Sequence, residues 1–211
     1  MSGARDLPSL IAAQQADTDL AFQDLVGEDR MEQAIADLLA KQEITETIYR
    51  IARGIDRGQV ALYADAFHPD GQDFHGFLNG PVKKVLDNLA NTKLIFTQHM
   101  IGNVLVELDG EVAQAESYFT SFHQGRDPDG TMIDETLRGR YLDRFERRDG
   151  GPWKIARRVV LWDWTKVEPS GDTWVDRVLQ RPGAEDRFIY GRRDREDMVF
   201  TGALPAGFED E

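Results

Sequence analysis

Apolar residues along the first third of the chain recur at helical spacing. Ile35, Leu38, Leu39, Ile44, Ile48, Ile51 and Ile55 share one stripe, which predicts a long amphipathic helix from Met31 to the glycines Gly54 and Gly58. Val60, Leu62, Tyr63, Ala66 and Phe67 predict a shorter helix that stops at the turn signal His68-Pro69-Asp70-Gly71. Residues 74–77 read as a short strand or loop, and 82–91 as a third helix with Pro81 in its first turn. From His99 the period drops to two. Residues 99–108 turn at Asp109 and Gly110 into 112–124, and 136–147 turn at Arg148-Asp149-Gly150-Gly151-Pro152 into 153–167. Helices followed by two long antiparallel hairpins make an α+β domain, with helices on one face of a curved sheet.

The body therefore spans 31–167. Residues 1–30 form an N-terminal extension with two weak helical signals, near Ile11 and near Leu20. Residues 168–211 are rich in Gly, Pro and Asp, with Trp174, Val178, Leu179, Phe188 and Tyr190 as sparse apolar anchors. That spacing predicts a C-terminal extension wrapping the domain or a neighbouring subunit.

Composition narrows the function more than the fold. A chain of 211 residues, 41% hydrophobic and 30% charged, fits one soluble globular domain with extensions. No apolar run approaches the ~18 residues of a membrane span, and no basic-then-apolar leader opens the chain. With zero cysteines, disulfides, thiolate zinc sites and a cysteine nucleophile are excluded, and the expected compartment is the cytoplasm. A net charge of −13 opposes nucleic acid and anionic membrane as partners. The four histidines are dispersed and the acids match no calcium loop, so no metal is expected. Nucleotide-binding glycine motifs and a serine-hydrolase elbow are absent, and no cofactor is expected either.

The candidate chemistry lies in two short stretches. Gly54-Ile55-Asp56-Arg57-Gly58 ends the long helix, and Thr97-Gln98-His99-Met100-Ile101-Gly102-Asn103 opens a strand. An anion at a helix C-terminus is disfavoured by the macrodipole, so Asp56 needs a cationic or hydrogen-bonding partner. A carboxylate set against an imidazole would orient the ring, fix its tautomer and make a general base.

Residues 31–166 resemble the SnoaL-like branch of the nuclear-transport-factor-2-like superfamily, of the scytalone dehydratase, hexachlorocyclohexane dehydrochlorinase and bile-acid dehydratase type. The likeness is carried by the helix ending in GIDRG, by LYADAFHPDG and TQHMIGNVLVELDG, and by the hairpin GRYLDRFERRDGGPWKIARRVVLWDW. It implies a cone-shaped, strongly curved sheet whose helices enclose an apolar pocket. It further implies an Asp56–His99 dyad in which His99 removes a proton from a small apolar, cyclic or aromatic substrate, without a cofactor. The branch also holds isomerases and carbon–carbon lyases that release an aldehyde. A non-catalytic reading, a ligand-binding protein or one like an oxygenase small subunit, stands beside these. The relatives imply a homotrimer or a homodimer, and both extensions fall outside the likeness.

Several further side chains are candidates. The resemblance puts a second pocket histidine on a strand comparable to that of His123. Tyr49 and Tyr63, seven residues either side of Asp56, are proton donors or core residues. Tyr141 and Arg157 lie in the last hairpin. Strand alternation from Trp153 and Ile155 turns Arg157 inward, where it holds a substrate oxygen or pairs with Asp163 or Asp143. Asn103, Trp162 and His75 are candidate lining residues, and His68 reads as a turn cap. Val160, Trp162 and Trp164 are expected to form an outward apolar stripe buried between subunits.

Overall fold

The structure is a computed structural model that describes residues 28–184 and 188–204. The helical signals near Ile11 and Leu20, and the last seven residues of the C-terminal extension, lie outside the described residues. In chain order the elements are α1 (Glu28–Asp56), α2 (Val60–Asp65), β1 (Phe67–Phe74), β2 (Gly80–Pro81), α3 (Lys83–Ala90), β3 (Phe96–Asp109), β4 (Val112–Arg126), β5 (Met132–Arg147), β6 (Trp153–Pro169), α4 (Trp174–Leu179) and α5 (Met198–Thr201). The chain forms two compact units that meet between Gln42 and Glu43. In the first unit, α1 leaves Met31, Ile35, Leu38 and Leu39 exposed. Everything described below belongs to the second.

Its sheet has the order β2-β1-β6-β5-β4-β3. β1 runs parallel to β6, and every other neighbouring pair is antiparallel. Because β2 and β3 end the order and do not pair, the sheet stays open. Bulges in β1, β3 and β6 bend it. Of the apolar stripe expected along α1, the part in this unit is buried: Ile44 and Ile48 are fully covered, and Ile51 and Ile55 nearly so, whereas Ile35, Leu38 and Leu39 are exposed. Two carboxylates fasten this helix to the sheet. Glu43 Oε1 accepts the Trp153 N–H at 3.0 Å, and Asp56 Oδ2 accepts the His99 N–H at 2.8 Å.

Three expectations change. The turn signal at His68-Pro69-Asp70-Gly71 does not end a helix before an open loop; it lies inside β1. Phe67 pairs with Ile155 and Gln72 with Arg157, so five steps along β1 match two along β6 and the turn residues bulge out of a continuing ladder. Pro81 belongs to β2, and α3 begins at Lys83 with Val82 as its N-cap.

The third change concerns which side chains of β6 face the core. Phe145 pairs with Ile155 but Arg144 pairs with Arg157, so Ala156 is an extra residue and the alternation slips by one. A one-residue slip exchanges the two faces. Arg157 is exposed, and Arg158 is buried in its place. Val160 likewise turns inward and packs with Phe119 and Tyr141, flanked by Ile101 and Leu137. Trp162 turns the same way, with its ring edge-on to Phe119 at 5.9 Å. Trp162 and Trp164 both remain partly exposed, Trp164 under the Arg138 guanidinium, so the expected stripe loses Val160. A second bulge follows, where Arg138 pairs with Trp164 and Gly139 with Trp162. Only glycine fits there, since a Cβ on residue 139 would come within 2.0 Å of the Leu161 carbonyl oxygen.

Candidate active site

Asp56 is the last residue of α1, and His99 is the fourth residue of β3. The Asp56 carboxylate grips His99 twice. Oδ2 takes the backbone N–H, and Oδ1 lies 2.7 Å from the ring Nδ1. A carboxylate only accepts, so Nδ1 carries the hydrogen and donates it; the lone pair is left on Nε2. Both side chains are sheltered, at 10% exposure for Asp56 and 6% for His99. The helix end around them is braced by Arg193, which donates to the Leu94 carbonyl at 2.7 Å and to the Ile55 carbonyl at 3.0 Å. Its positive charge also offsets the macrodipole at that terminus. Arg57 pairs with Asp197 at 3.7 Å, so residues of the C-terminal extension lie against the end of α1.

His123 pairs across the ladder with Thr97, two steps from the pairing of His99 with Ser121, with Gln98 and Phe122 paired between them. It therefore shares the inner face with His99, and the two rings lie 5.4 Å apart at 50°. Burial, then the neighbouring His99, pushes the His123 pKa down from 6.5 to about 4. At neutral pH it is an uncharged imidazole whose buried Nε2 has no hydrogen-bond partner among the described residues.

The tyrosines divide. Tyr49 lies within about 20° of Asp56 around the helix axis but about 10 Å away along it, and it is 47% exposed. That position separates it from the buried end of the helix. Tyr63 is buried, and its hydroxyl donates to Asp73 Oδ2 at 2.5 Å; burial, reinforced by the Asp73 charge, holds its pKa well above the usual phenol value. Tyr141 is buried between Phe119, stacked at 4.5 Å, and the Arg158 guanidinium, 4.2 Å above its ring. Burial raises its pKa as well.

The other candidates separate further. His75 leans edge-on against Trp162 at 5.7 Å, with its Nδ1 3.6 Å from Asp73 Oδ1. Arg157 points outward, as the Ala156 bulge requires. Asn103 sits in the bulge of β3 with φ +47°. It lines an open pocket of about 470 Å³ with Tyr118, Arg138 and Trp164, and that pocket includes none of Asp56, His99 and His123. His68 is structural, its Nε2 3.0 Å from the Glu146 carbonyl. Four residues outside the sequence reading matter here: Arg158 and Asp143, joined by two 2.7 Å hydrogen bonds in the core, together with Asp73 and Arg193. Asp143 appeared only as a partner for Arg157. The bulge concealed Arg158, and Arg193 lies in a charged run that looks like solvated tail.

A model of the SnoaL-like domain matches residues 36–159. The chain belongs to the SnoaL-like family. Solved structures similar to this SnoaL-like protein agree in fold. A scytalone dehydratase-like protein from Novosphingobium aromaticivorans DSM 12444 is 22% identical, with a TM-score of 0.53 over 64% of this chain and 90% of that one. A type 2 hexachlorocyclohexane dehydrochlorinase (LinA) is 17% identical, with a TM-score of 0.54 over 72% and 97%. A nuclear transport factor 2-like superfamily protein from Salmonella enterica serovar Typhimurium LT2 is 21% identical, with a TM-score of 0.50 over 66% and 96%. No curated protein matches the chain significantly. Among the described residues no three His, Asp or Glu side chains are grouped to hold a metal ion, and no helix is long and apolar enough to cross a membrane.

Proposed function

We propose that this SnoaL-like protein is a cofactor-independent lyase of the dehydratase type, acting on a small, largely apolar, cyclic or aromatic molecule. One observation carries the reading: the sheltered 2.7 Å contact between Asp56 Oδ1 and His99 Nδ1. It leaves Nε2 as a base whose protonated form Asp56 stabilises. His99 removes a proton from carbon, the C–H pair becomes the new double bond, and a leaving group departs from the adjacent carbon. The apolar cluster of Phe119, Tyr141 and Val160, with Ile101 and Leu137, supports an apolar substrate. The dehydratase-like and dehydrochlorinase neighbours support elimination over other uses of the same base. Neutral His123 would steady the substrate by hydrogen bonding and take no charge. Exposed Met100, Leu105, Tyr118, Leu142 and Trp164 support self-association as a homotrimer or homodimer, working in the cytoplasm. The C-terminal extension braces the dyad through Arg193.

The test needs no natural substrate. 5-Nitrobenzisoxazole opens when a base removes its ring-carbon proton, and its phenolate leaves without help from an acid. The protein should open it faster than free imidazole, and His99→Ala should lose about 10²–10⁴ of that rate while keeping its circular dichroism. A folded His99→Ala variant as fast as the parent would refute the assignment of the base.

A further inference from the structure

The second unit holds another acid and imidazole, at Asp73 in β1 and His75 just beyond it. Asp73 is 0% exposed. One of its oxygens, Oδ2, takes the Tyr63 hydroxyl. The other, Oδ1, has no hydrogen-bond partner among the described residues, and neither has the buried Nδ1 of His75. These two unpartnered atoms face each other at 3.6 Å. A carboxylate kept only for structure would be expected to have both oxygens satisfied. The 3.6 Å separation of Oδ1 and Nδ1 is just longer than a hydrogen bond.

The surroundings link this pair to the dyad. His75 rests against Trp162, which rests against Phe119 of the apolar cluster. Positive charge on either His75 or His99 opposes protonation of His123, so all three imidazoles lie within electrostatic reach of one interior. A carboxylate stands behind the first and another behind the last. Besides Asp73, the groups that bear on His75 are Tyr63 through Asp73, Trp162 at its face and His123; Arg158 in turn acts on Tyr63.

We propose that Asp73 and His75, with Tyr63 holding the carboxylate, form a second acid–base pair that protonates the departing oxygen while His99 deprotonates carbon. The proposal rests on the lyase reading above and specifies its substrate: an alcohol whose hydroxyl is β to an acidic C–H, lost as water. His99 Nε2 takes the carbon proton, and the C–H electrons form the double bond. The C–O bond breaks with its electrons on oxygen, which takes a proton from the His75 imidazolium. The products are the alkene and water, with one proton gained by His99 and one lost by His75. Exchange with solvent between turnovers takes the proton from His99 and restores one to His75. His75 is then a catalytic residue, and Asp73 and Tyr63 are positioning residues.

A 1H–15N correlation of the four histidine rings at pH 7, in the full chain, tests the pair directly. Asp73→Asn keeps an acceptor for Tyr63 but removes the charge. It should move the His75 ring resonances at pH 7 and leave those of His99 in place. An unmoved His75 overturns the proposal. Two probes then read function, 5-nitrobenzisoxazole, which needs only a base, and 4-hydroxy-4-phenylbutan-2-one, whose hydroxyl needs a proton to leave. His75→Gln should lower the ratio of dehydration to ring opening by about 10² or more. An unchanged ratio, or a parent protein that opens the benzisoxazole yet never dehydrates the hydroxyketone, overturns the second pair and leaves the dyad standing. Failure of the parent to open the benzisoxazole refutes the dyad instead, and the ring spectrum still decides the fate of Asp73 and His75.

Discussion

Acidification should loosen this protein through His123 at a pH where the paired surface carboxylates are still charged. Folding lowers the His123 pKa from 6.5 to about 4 by burying the ring beside His99. Between those values the unfolded chain binds a proton that the folded chain refuses. Stability is therefore complete above pH 6.5 and drains away as the pH falls toward 4. At roughly 1.4 kcal/mol per pH unit, the window of about 2.5 units corresponds to about 3 kcal/mol. The ring is 18% exposed, too little for solvent to screen most of that. For a domain of this size, about 2–4 °C of melting temperature per kcal/mol makes the loss about 10 °C. His123→Gln keeps a polar side chain that cannot charge. Thermal unfolding followed by circular dichroism at pH 7.5, 6, 5 and 4.5 should show the parent falling about 10 °C further than the variant. The paired surface acids Asp70, Glu111 and Glu146 have lowered pKa values and respond alike in both proteins. Parallel curves for the two would refute the burial argument, whatever constant offset the substitution adds.

Other substitutions probe the parts that position the site. Asp143→Asn leaves the Arg158 guanidinium buried without its anion, at a cost of about 3–5 kcal/mol; the joint change Asp143→Leu with Arg158→Met should recover most of it in urea unfolding. Gly139→Ala drives a methyl onto the Leu161 carbonyl and should destabilise by about 1–3 kcal/mol or more, again read in urea. Arg193→Ala removes the donors to the Ile55 carbonyl at the end of α1 and to the Leu94 carbonyl just before β3, which should cost about 1–3 kcal/mol. It should also slow benzisoxazole opening, and Arg193→Lys should restore only part of both, since one ammonium replaces a two-armed fork.

The helical stripe of α1 and the two long hairpins were legible because burial imposes their periods directly on the sequence. The same holds for Asp56, whose awkward charge at a helix end required a partner, and for His99 on an inward strand position. The rest turned on single-residue insertions. Ala156 carries no composition that marks a bulge, yet it decides that Arg158, Val160 and Trp162 face inward while Arg157 does not. The turn signal of residues 68–71 was chemically correct and topologically misleading: those residues do turn, but within a strand whose pairing resumes beyond them. Tyr49 shows the limit of angular reasoning, since sharing a helix face does not bring two side chains together along the axis. Arg193 and Asp73 become visible only when distant segments meet, and no local pattern announces that.

The reach of Arg193 back to Ile55, across 138 residues, also orders events in time. At about 5–20 residues per second, a ribosome takes roughly 7–30 s to travel from one to the other. Throughout that interval α1 and the strands can assemble around an Asp56 whose helix end is closed only by its own backbone turn. The arginine arrives as a late fastener, so a chain cut short before it would own both members of the dyad and lack the clasp that keeps them aligned.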